Sequence, residues 1–311
     1  MSVEINCDPQ LQLQEPQLQV VIIFAILTLG ETMEKKIDIS KKILDVNDIF
    51  ICPYCKLLLS RNKSSLICQN NHTFDISKKG VVNLINTSNL KTSKIYNKTL
   101  FAHRRKFIQK NFYFKIYENI SKIINNIEKQ KIKILDVGCG EGIHSINILK
   151  LLNKKYTFFG IDFSKDAINL ASDYCNENIY FFNSDVNNIP IESNSFDVII
   201  DFLSPYNEKE IKRLLVNGGI FIKVSPGTKY LKEYRNYISI NDYKKEKAVF
   251  ENLARHFINI SKIECDDEYE ITKEEIEDLI FMTPMRSENK IDKQINFNKI
   301  TINLNIYIVR K

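Results

Sequence analysis

Three cysteines and one histidine have a spacing that suits a metal site. Cys52-Pro-Tyr-Cys55 is followed after twelve residues by Cys68 and after three more by His72. Two thiolates on one tight turn and a Cys–His pair on a second turn supply the four ligands of tetrahedral zinc. Four protein ligands leave no open position, so this zinc would be structural and would supply folding energy to a short segment. Chance cysteines or a redox pair are the alternatives, but residues 50–60 lack the strand–motif–helix context of thioredoxin-like proteins.

A glycine-rich turn is the second cluster suited to chemistry. Gly138, Gly140 and Gly142 are three of the chain's nine glycines and directly follow the apolar run 131–137. Glycine lets the backbone turn sharply and lets a ligand lie against it at the start of a helix. Asp162 stands 20 residues after the last of these glycines, at the end of the next predicted strand. An acid at that place accepts hydrogen bonds from ribose hydroxyls, so the turn predicts a nucleotide-like cofactor.

The segments around this turn alternate between strands and helices. Strands are predicted at residues 131–137, 156–162, 179–182, 196–200 and 220–224, and helices at 143–152, 165–175 and 207–215. This alternation predicts an α/β fold with a doubly wound parallel sheet. Residues 300–309 alternate apolar and polar side chains and predict a last strand, antiparallel and at the sheet edge. Thr272 and Glu275 match a capping box that opens a helix.

The positive charge of the chain is concentrated in one stretch. The 311 residues carry a net charge of +6, yet residues 51–115 hold thirteen Lys or Arg and a single acid, for a net +12. Aromatic side chains are interleaved with these charges, and Arg104, Arg105 and Lys106 form a run of three cations. Such a stretch is typical of a polyanion binder, and a solvated lysine-rich surface is the alternative.

The first 33 residues differ in composition from the rest. They contain four acids, no Lys or Arg and five of the chain's nine glutamines. Their apolar run at 20–29 is shorter than the ~20 residues of a membrane-spanning helix and lacks the basic segment that precedes a signal peptide. We therefore expect residues 1–45 to be an extension that is disordered or not native, with Met33 as an alternative start. No membrane partner is expected, and a reducing cytoplasm is the expected location.

The glycine spacing separates two kinds of cofactor site. A dinucleotide-binding turn reads Gly-x-Gly-x-x-Gly, whereas this turn reads Gly-x-Gly-x-Gly with Asp136 two residues before the first glycine. That arrangement resembles the cofactor loop of class I S-adenosylmethionine methyltransferases. The resemblance implies that the loop approaches the methionine moiety, that Asp162 holds the ribose and that Asp185 holds the adenine amino group. A strand-end cap is the alternative role for Asp185.

The order of motifs along the chain resembles the bacterial 23S rRNA (guanine-N1)-methyltransferases, a group that includes the tylosin-resistance methyltransferase. The matching strings are Cys52-Pro-Tyr-Cys55, Cys68-Gln-Asn-Asn-His72-Thr-Phe-Asp75, Gly80-Val-Val-Asn83-Leu84, Arg104-Arg105-Lys106-Phe107, Phe112-Tyr113, Asp136-Val-Gly-Cys-Gly-Glu-Gly142, Ser204-Pro205, Pro226-Gly227 and Met282-Thr-Pro284. The glycine loop alone is unspecific. Its combination with the cysteine–histidine cluster at this distance is far more specific.

This resemblance implies a set of parts and binding residues. After the extension come a zinc-binding RNA-recognition domain at 46–88, a basic helical connector at 89–128 and a methyltransferase domain at 129–311. Zinc would lie on Cys52, Cys55, Cys68 and His72. Contacts to S-adenosylmethionine would come from Tyr113, Asp136, Gly138, Gly140, Glu141, Gly142, His144, Ser145, Asp162, Asp185 and Tyr230. Contacts to the RNA would come from Arg104, Arg105 and Lys106.

The implied reaction is methylation of guanine N1 in a hairpin loop of 23S rRNA, where bases can be splayed out and stacked on aromatic side chains. Methyl transfer is an in-line displacement, and positioning alone can supply ~7–11 kcal/mol. The proton on N1 must leave, and Asp201 and Glu141 are the candidate bases. A homodimer is compatible with this function, as are both a housekeeping role and a role in macrolide resistance.

Two other functions are compatible with the same residues. A small-molecule methyltransferase would use the zinc site only to support the fold and would show no strong salt-dependent RNA binding. A non-catalytic zinc protein that binds RNA would carry a degenerate methyltransferase domain. The intact loop 136–142 and Asp162 argue against that second alternative, and titration with S-adenosylmethionine tests it.

Overall fold

The helices and strands alternate along most of the chain. The computed structural model describes residues 49–86, 97–240, 245–283 and 297–311. The predicted extension at 1–45 lies outside the described residues, as does part of the connector predicted at 89–128. In chain order the elements are β1 (Ser60–Asn62), β2 (Ser65–Ile67), β3 (Thr73–Asp75), β4 (Val82–Asn83), α1 (Lys98–Ile108), α2 (Phe114–Asn125), β5 (Lys131–Val137), α3 (Ile143–Leu149), β6 (Lys155–Asp162), α4 (Lys165–Ala171), β7 (Ile179–Asn183), β8 (Phe196–Phe202), α5 (Glu208–Leu214), β9 (Leu215–Pro226), α6 (Lys232–Tyr237), α7 (Lys245–His256), β10 (Ser261–Glu270), α8 (Lys273–Met282) and β11 (Lys299–Arg310).

Eight strands form the main sheet in the order β10-β11-β9-β8-β5-β6-β7-β4. The six strands from β9 to β4 run parallel to their neighbours, whereas β11 is antiparallel to β9 and β10 is antiparallel to β11. Successive side chains of the central strand β5 enter two separate apolar clusters, Ile134 one and Leu135 the other. The two clusters also contain side chains from different helices, such as Ile146 of α3 and Leu253 of α7. The α/β fold class predicted from the sequence is confirmed.

The predicted position of the last strand at the sheet edge is wrong. The strand β11 is antiparallel as predicted, but it lies between β9 and β10, and nine of its twelve residues are buried. The strand β10 takes the edge position and places charged side chains on its exposed face. Charged residues protect an edge strand from pairing with other chains. The capping box is confirmed, because the Thr272 and Glu275 side chains each accept from the other residue's backbone N–H.

The segment before α1 is joined to the main sheet. Strands β1, β2 and β3 form a small antiparallel sheet, and β4 extends the main sheet by pairing in parallel with β7. The ring of Phe50 packs edge-on against Phe159 of β6 and Phe182 of β7, with centroid distances of 6.1 and 5.1 Å. Because Cys52 and Cys68 belong to the same apolar cluster as these rings, the segment folds on the sheet instead of around a core of its own.

Helix α1 is held against α8. The imidazole Nδ1 of His103 lies 2.6 Å from Asp278 Oδ1. The same ring stacks on Phe281 at a centroid distance of 4.7 Å. At the N-terminus of α1, the side chain of Asn97 caps the helix by accepting from the N–H of Leu100 at 3.0 Å. These contacts fix the direction in which the basic side chains of α1 project.

Candidate active site and metal centre

The structure brings the four predicted zinc ligands together. The ligand atoms of Cys52, Cys55, Cys68 and His72 all lie within 4.8 Å of one another. His72 Nδ1 is 3.5 Å from Cys52 Sγ and 3.4 Å from Cys68 Sγ, and Cys55 Sγ is 3.5 Å from Cys68 Sγ. Tetrahedral zinc with ordinary bond lengths separates two sulfurs by roughly 3.8 Å and a sulfur from a nitrogen by roughly 3.5 Å. The cluster therefore fits zinc, with every position filled by protein.

Two tight turns present these ligands. In the first, the N–H of Lys56 donates to the carbonyl of Cys52 at 2.9 Å, and Lys56 has a left-handed φ of 64°. In the second, the N–H of Asn71 donates to the carbonyl of Cys68 at 2.9 Å, and Asn71 has a φ of 61°. A backbone hydrogen bond from Leu57 lowers the pKa of the Cys55 thiol, which favours the thiolate that binds metal.

The glycine loop follows β5 and leads into α3. Gly138, Gly140 and Gly142 have φ values of +74°, +57° and +80°, a region that suits glycine. A Cβ on Gly138 would lie 2.3 Å from the hydroxyl oxygen of Ser204, so the loop after β8 lies directly against this glycine. At Gly140 the nearest described atom to such a Cβ is 3.5 Å away, on Arg104. The loop is thus packed at its first glycine and more open at its second.

Asp162 closes the glycine loop from the end of β6. Its Oδ2 accepts from the N–H of Gly140 at 2.9 Å, and its Oδ1 accepts from the N–H of Ser164 at 2.7 Å. Burial raises the pKa of Asp162, and these two backbone donors lower it. Each carboxylate oxygen has a second lone pair, so Asp162 retains acceptor capacity for a ribose.

Asp185 follows β7 and is half-buried. Its Oδ1 accepts from the backbone N–H of Asn187 at 2.9 Å and from the Asn187 side chain at 3.1 Å. These contacts cap the end of β7, which is the alternative role that the sequence left open for Asp185. The capping contacts involve Oδ1, so the cap and an adenine contact through Oδ2 are compatible.

Asp136 and Ser145 form a buried pair below the loop. The hydroxyl of Ser145 donates to Asp136 Oδ2 and thereby ties α3 to the end of β5. Asp136 Oδ1 is buried without a described partner. Burial raises the pKa of Asp136 to about 7. The structure therefore places Asp136 and Ser145, both predicted as cofactor contacts, in a buried pair that joins α3 to β5.

Aromatic side chains line the approach to the loop from α2. The hydroxyls of Tyr113 and Tyr230 are 2.9 Å apart and buried. The imidazole of His144 stacks on Phe202 at a centroid distance of 4.0 Å, and its Nδ1 lies 2.7 Å from the Tyr117 hydroxyl. Burial lowers the pKa of His144, so its ring is neutral near pH 7. The structure thus unites three predicted cofactor residues that are far apart in sequence.

Asp201 is fully buried at the end of β8. Lys223 of β9 donates to Asp201 Oδ1 and, at 2.7 Å, to the carbonyl oxygen of Ser204. The Ser204 hydroxyl oxygen lies 2.7 Å from both Asp201 Oδ2 and the Val137 carbonyl oxygen, and it donates to one of them. Leu203 before it has a left-handed φ of 60°. Both oxygens of Asp201 are therefore engaged in holding the loop after β8.

Glu141 is the other carboxylate predicted as a base. It is buried, its Oε1 has no described partner, and its Oε2 lies 3.8 Å from Nη1 of Arg104. Burial raises the pKa of Glu141, and the charge of Arg104 opposes this effect. Of the two candidates, Glu141 is the one with a carboxylate oxygen that has no described hydrogen-bond partner.

The three cations predicted to contact RNA have different surroundings on α1. Lys106 is exposed, whereas Arg104 and Arg105 are half-buried. Arg105 donates to the carbonyl of Leu170 at 3.3 Å and lies over the ring of Tyr174. The geometry leaves Lys106 available to a partner and directs Arg104 toward the glycine loop.

Sequence reasoning missed Lys223. The sequence does contain a feature that could have identified it, namely a lysine within the apolar run Ile220 to Val224. A cation buried in such a strand requires a partner of opposite charge. Asp201, at the end of the preceding strand, is that partner across the parallel register.

Two family models match successive parts of the chain. Residues 50–94 match the zinc-ribbon family model described as "RlmA, N-terminal", and residues 128–279 match the model described as "Methyltransferase domain". A Bacillus subtilis (strain 168) relative, YxjB, is named as a candidate 23S rRNA (guanine-N(1)-)-methyltransferase. It is 30% identical over 279 residues, which cover 85% of this chain and 97% of that protein.

The chain belongs to the 23S rRNA (guanine-N(1))-methyltransferase family. A second relative, the 23S rRNA (guanine(748)-N(1))-methyltransferase of Streptomyces fradiae, is 26% identical over 66% of this chain and 74% of that protein. Among solved structures, an S-adenosylmethionine-dependent methyltransferase from Archaeoglobus fulgidus superposes with a TM-score of 0.41 at 14% identity, over 68% of this chain and 99% of that chain. The family resemblance found in the sequence is confirmed.

The cofactors of this rRNA methyltransferase family member follow from its two parts. It uses S-adenosylmethionine and a structural zinc ion. The Cys3His set fits zinc, since its ligand atoms are separated by distances close to the edge lengths of a zinc tetrahedron. The loop fits S-adenosylmethionine, since the space beside Gly140 is more open than that beside Gly138 and Asp162 keeps acceptor capacity for a ribose. Within the described residues, none of its helices has the length and apolar character needed to cross a membrane.

Proposed function

We propose that this chain methylates N1 of a guanine in a hairpin loop of 23S rRNA. The observation that carries the proposal is the similarity to the Bacillus subtilis relative, which spans both the metal cluster and the methyltransferase sheet. A relative named for the same reaction in Streptomyces fradiae adds support. A small-molecule substrate is less supported, because the relatives named for one match only 31% of this chain, whereas the two relatives named for rRNA guanine methylation match 85% and 66% of it.

The proposed cofactor contacts surround the glycine loop. The loop from Gly138 to Gly142 would lie against the methionine moiety at Gly140, because the space beside this glycine is open whereas a side chain on Gly138 would meet Ser204. Asp162 would accept from the ribose and Asp185 from the adenine amino group. The hydroxyl pair of Tyr113 and Tyr230 would border the amino-acid end. We propose His144, Ser145 and Asp136 as the residues that hold this arrangement.

S-adenosylmethionine supplies an activated methyl group, so the reaction needs no nucleophile from the protein. The protein must align the guanine nitrogen with the methyl carbon and keep water away from them. The proton on N1 would pass to Glu141, whose Oε1 is free of described partners and whose pKa is raised by burial. Asp201 would act by positioning the loop after β8, because Lys223 and Ser204 occupy its oxygens.

The proposed RNA surface is the small sheet together with α1. Residues 49–86, here called the cluster segment because they contain the four metal ligands, expose the apolar side chains of Tyr54, Leu57 and Leu58. They also expose cations, namely Lys56, Lys63, Lys78 and Lys79. Cations hold phosphates, and exposed apolar or aromatic groups pack against splayed bases. Lys106 of α1 would extend this surface.

Two further expectations accompany the proposal. The chain would meet its rRNA in the cytoplasm. A homodimer remains a prediction, which light scattering on the purified chain tests.

Mass mapping of 23S rRNA from cells with and without the gene tests the proposed function. We expect one guanine to lose a methyl group when the gene is deleted and to regain it on complementation. Identical guanine methylation in both samples would exclude the rRNA assignment. A filter-binding titration at several salt concentrations separates the small-molecule alternative, which predicts no salt-dependent RNA affinity.

A further inference from the structure

Arg104 lies over the second glycine of the cofactor loop. Its Nη1 is 3.5 Å from the position that a Cβ on Gly140 would take, and no other described residue comes closer to that position. The guanidinium packs on the ring of Phe101, 5.3 Å from its centroid. The side chain is only 22% exposed. Arg104 is therefore directed into the cofactor site and away from the outer surface of α1.

Most of the hydrogen-bonding capacity of Arg104 is unused among the described residues. A guanidinium has five N–H donors. Arg104 donates from Nη2 to the carbonyl oxygen of Met282 at 3.4 Å. Glu141 Oε2, at 3.8 Å from Nη1, is an ion-pair partner beyond hydrogen-bond distance. A half-buried guanidinium whose N–H donors are mostly without described partners suits binding of a planar anionic group on a ligand.

The charge of Arg104 acts on groups on several sides of the loop. Burial raises the pKa of Glu141 and of Asp162, and in both cases Arg104 lowers it. Burial lowers the pKa of His144, and Arg104 lowers it further. Arg105 on the same helix also lowers the pKa of Glu141, but its guanidinium lies over Tyr174 and donates to the carbonyl of Leu170. Arg104 is thus electrostatically part of the cofactor site.

We propose that Arg104 binds the carboxylate at the methionine end of S-adenosylmethionine and does not bind an RNA phosphate. This inference rests on the proposed function in one respect, namely that the glycine loop holds the methionine moiety. That moiety carries the carboxylate, and the fork of a guanidinium matches a carboxylate in two parallel hydrogen bonds. The neighbouring acids Glu141 and Asp162 would repel that carboxylate, so its binding here requires a cation.

Two ligands that differ at the amino-acid end test the assignment by calorimetric titration. S-adenosylhomocysteine carries the carboxylate, whereas 5′-methylthioadenosine lacks the whole amino-acid chain. We expect Arg104→Gln to weaken binding of S-adenosylhomocysteine by about tenfold to a hundredfold and to leave the affinity for 5′-methylthioadenosine unchanged. The matched control is Lys106→Gln, two positions along α1, which should leave both affinities unchanged and weaken RNA binding.

Several results would overturn the assignment. These are unchanged binding of S-adenosylhomocysteine by Arg104→Gln, an equal loss for both ligands, or a loss of RNA affinity matching that of Lys106→Gln. If Arg104→Gln does not fold, Arg104→Lys decides instead, because it keeps the charge, loses the fork and should weaken S-adenosylhomocysteine alone. The titration needs no RNA, so a chain inactive on 23S rRNA can still support the role of Arg104. A wild-type chain that binds neither ligand would overturn both proposals.

Discussion

Asp201 and Lys223 form a buried ion pair across the neighbouring parallel strands β8 and β9. Lys223 also holds the carbonyl of Ser204, whose hydroxyl lies against the end of β5. The pair thus links three central strands beside the glycine loop. Asp201, although it lies at the end of a strand beside the glycine loop, therefore serves to hold the loop after β8.

The first prediction concerns this pair. Lys223→Met should lower the free energy of unfolding by about 3–5 kcal/mol, because Asp201 would remain buried without a counter-charge. The double variant Asp201→Asn/Lys223→Met should recover most of the loss, since it buries no charge. Denaturant unfolding of both variants measures the two values. Losses that simply add in the double variant would contradict the account.

A second prediction follows from the core shared by the cluster segment and the sheet. Cys68→Ser should abolish stoichiometric zinc and lower the thermal midpoint of the whole chain, because β4 and Phe50 belong to the main sheet and its core. Zinc analysis and calorimetry measure both effects. Cys175→Ser is the control, since Cys175 lies outside the cluster. If the methyltransferase domain of the zinc-free variant unfolded at the wild-type temperature, the cluster segment and the methyltransferase domain would be independent of each other in stability.

The third prediction is a pH dependence of stability that comes from Asp136. Burial raises its pKa from 3.8 to about 7 in the folded chain. Between these values the folded chain binds a proton that the unfolded chain has released, so stability falls as the pH rises and levels off above 7.

Comparison of wild type with Asp136→Asn isolates this effect. Between pH 5 and pH 8, the wild type should lose about 3 kcal/mol more stability than the variant does. Urea unfolding of the ligand-free chains at each pH measures the difference. Equal pH slopes for the two chains would mean that Asp136 is not protonated in the folded state.

Local sequence patterns predicted the elements that depend on neighbouring residues. The strands β5 and β6, the glycine loop between them and the Cys–His cluster are set by short-range spacing, and each could be predicted. The sequence also predicted the capping box at Thr272, because both of its hydrogen bonds lie within one turn.

Long-range pairings could not be predicted in this way. The pairing of Asp201 with Lys223 and the contact of Tyr113 with Tyr230 join residues that only the sheet and helix packing bring together. The outward position of β10 depends on which strand reaches the edge, and alternation alone does not encode that choice. The direction of Arg104 depends on how α1 packs against α8, a contact between distant segments.

The fourth prediction compares two glycines with similar backbone angles. Gly138 and Gly218 have φ values of +74° and +77°, so an alanine at either is strained by about 1 kcal/mol. At Gly138 the new Cβ would also meet the Ser204 hydroxyl at 2.3 Å, whereas at Gly218 nothing described lies within 4 Å. Gly138→Ala should therefore lose binding of S-adenosylmethionine, and Gly218→Ala should keep it. Calorimetric titration of both variants decides, and equal affinities would contradict the packing of Ser204 on the loop.

The most direct test of the central claim uses the purified chain, protein-free 23S rRNA and S-adenosylmethionine with a labelled methyl group. Nuclease digestion and mass spectrometry should locate one labelled methyl on N1 of a hairpin-loop guanine, and the zinc-free Cys68→Ser chain should add none. Label on another base or another atom, or undiminished labelling by the zinc-free chain, would contradict the account.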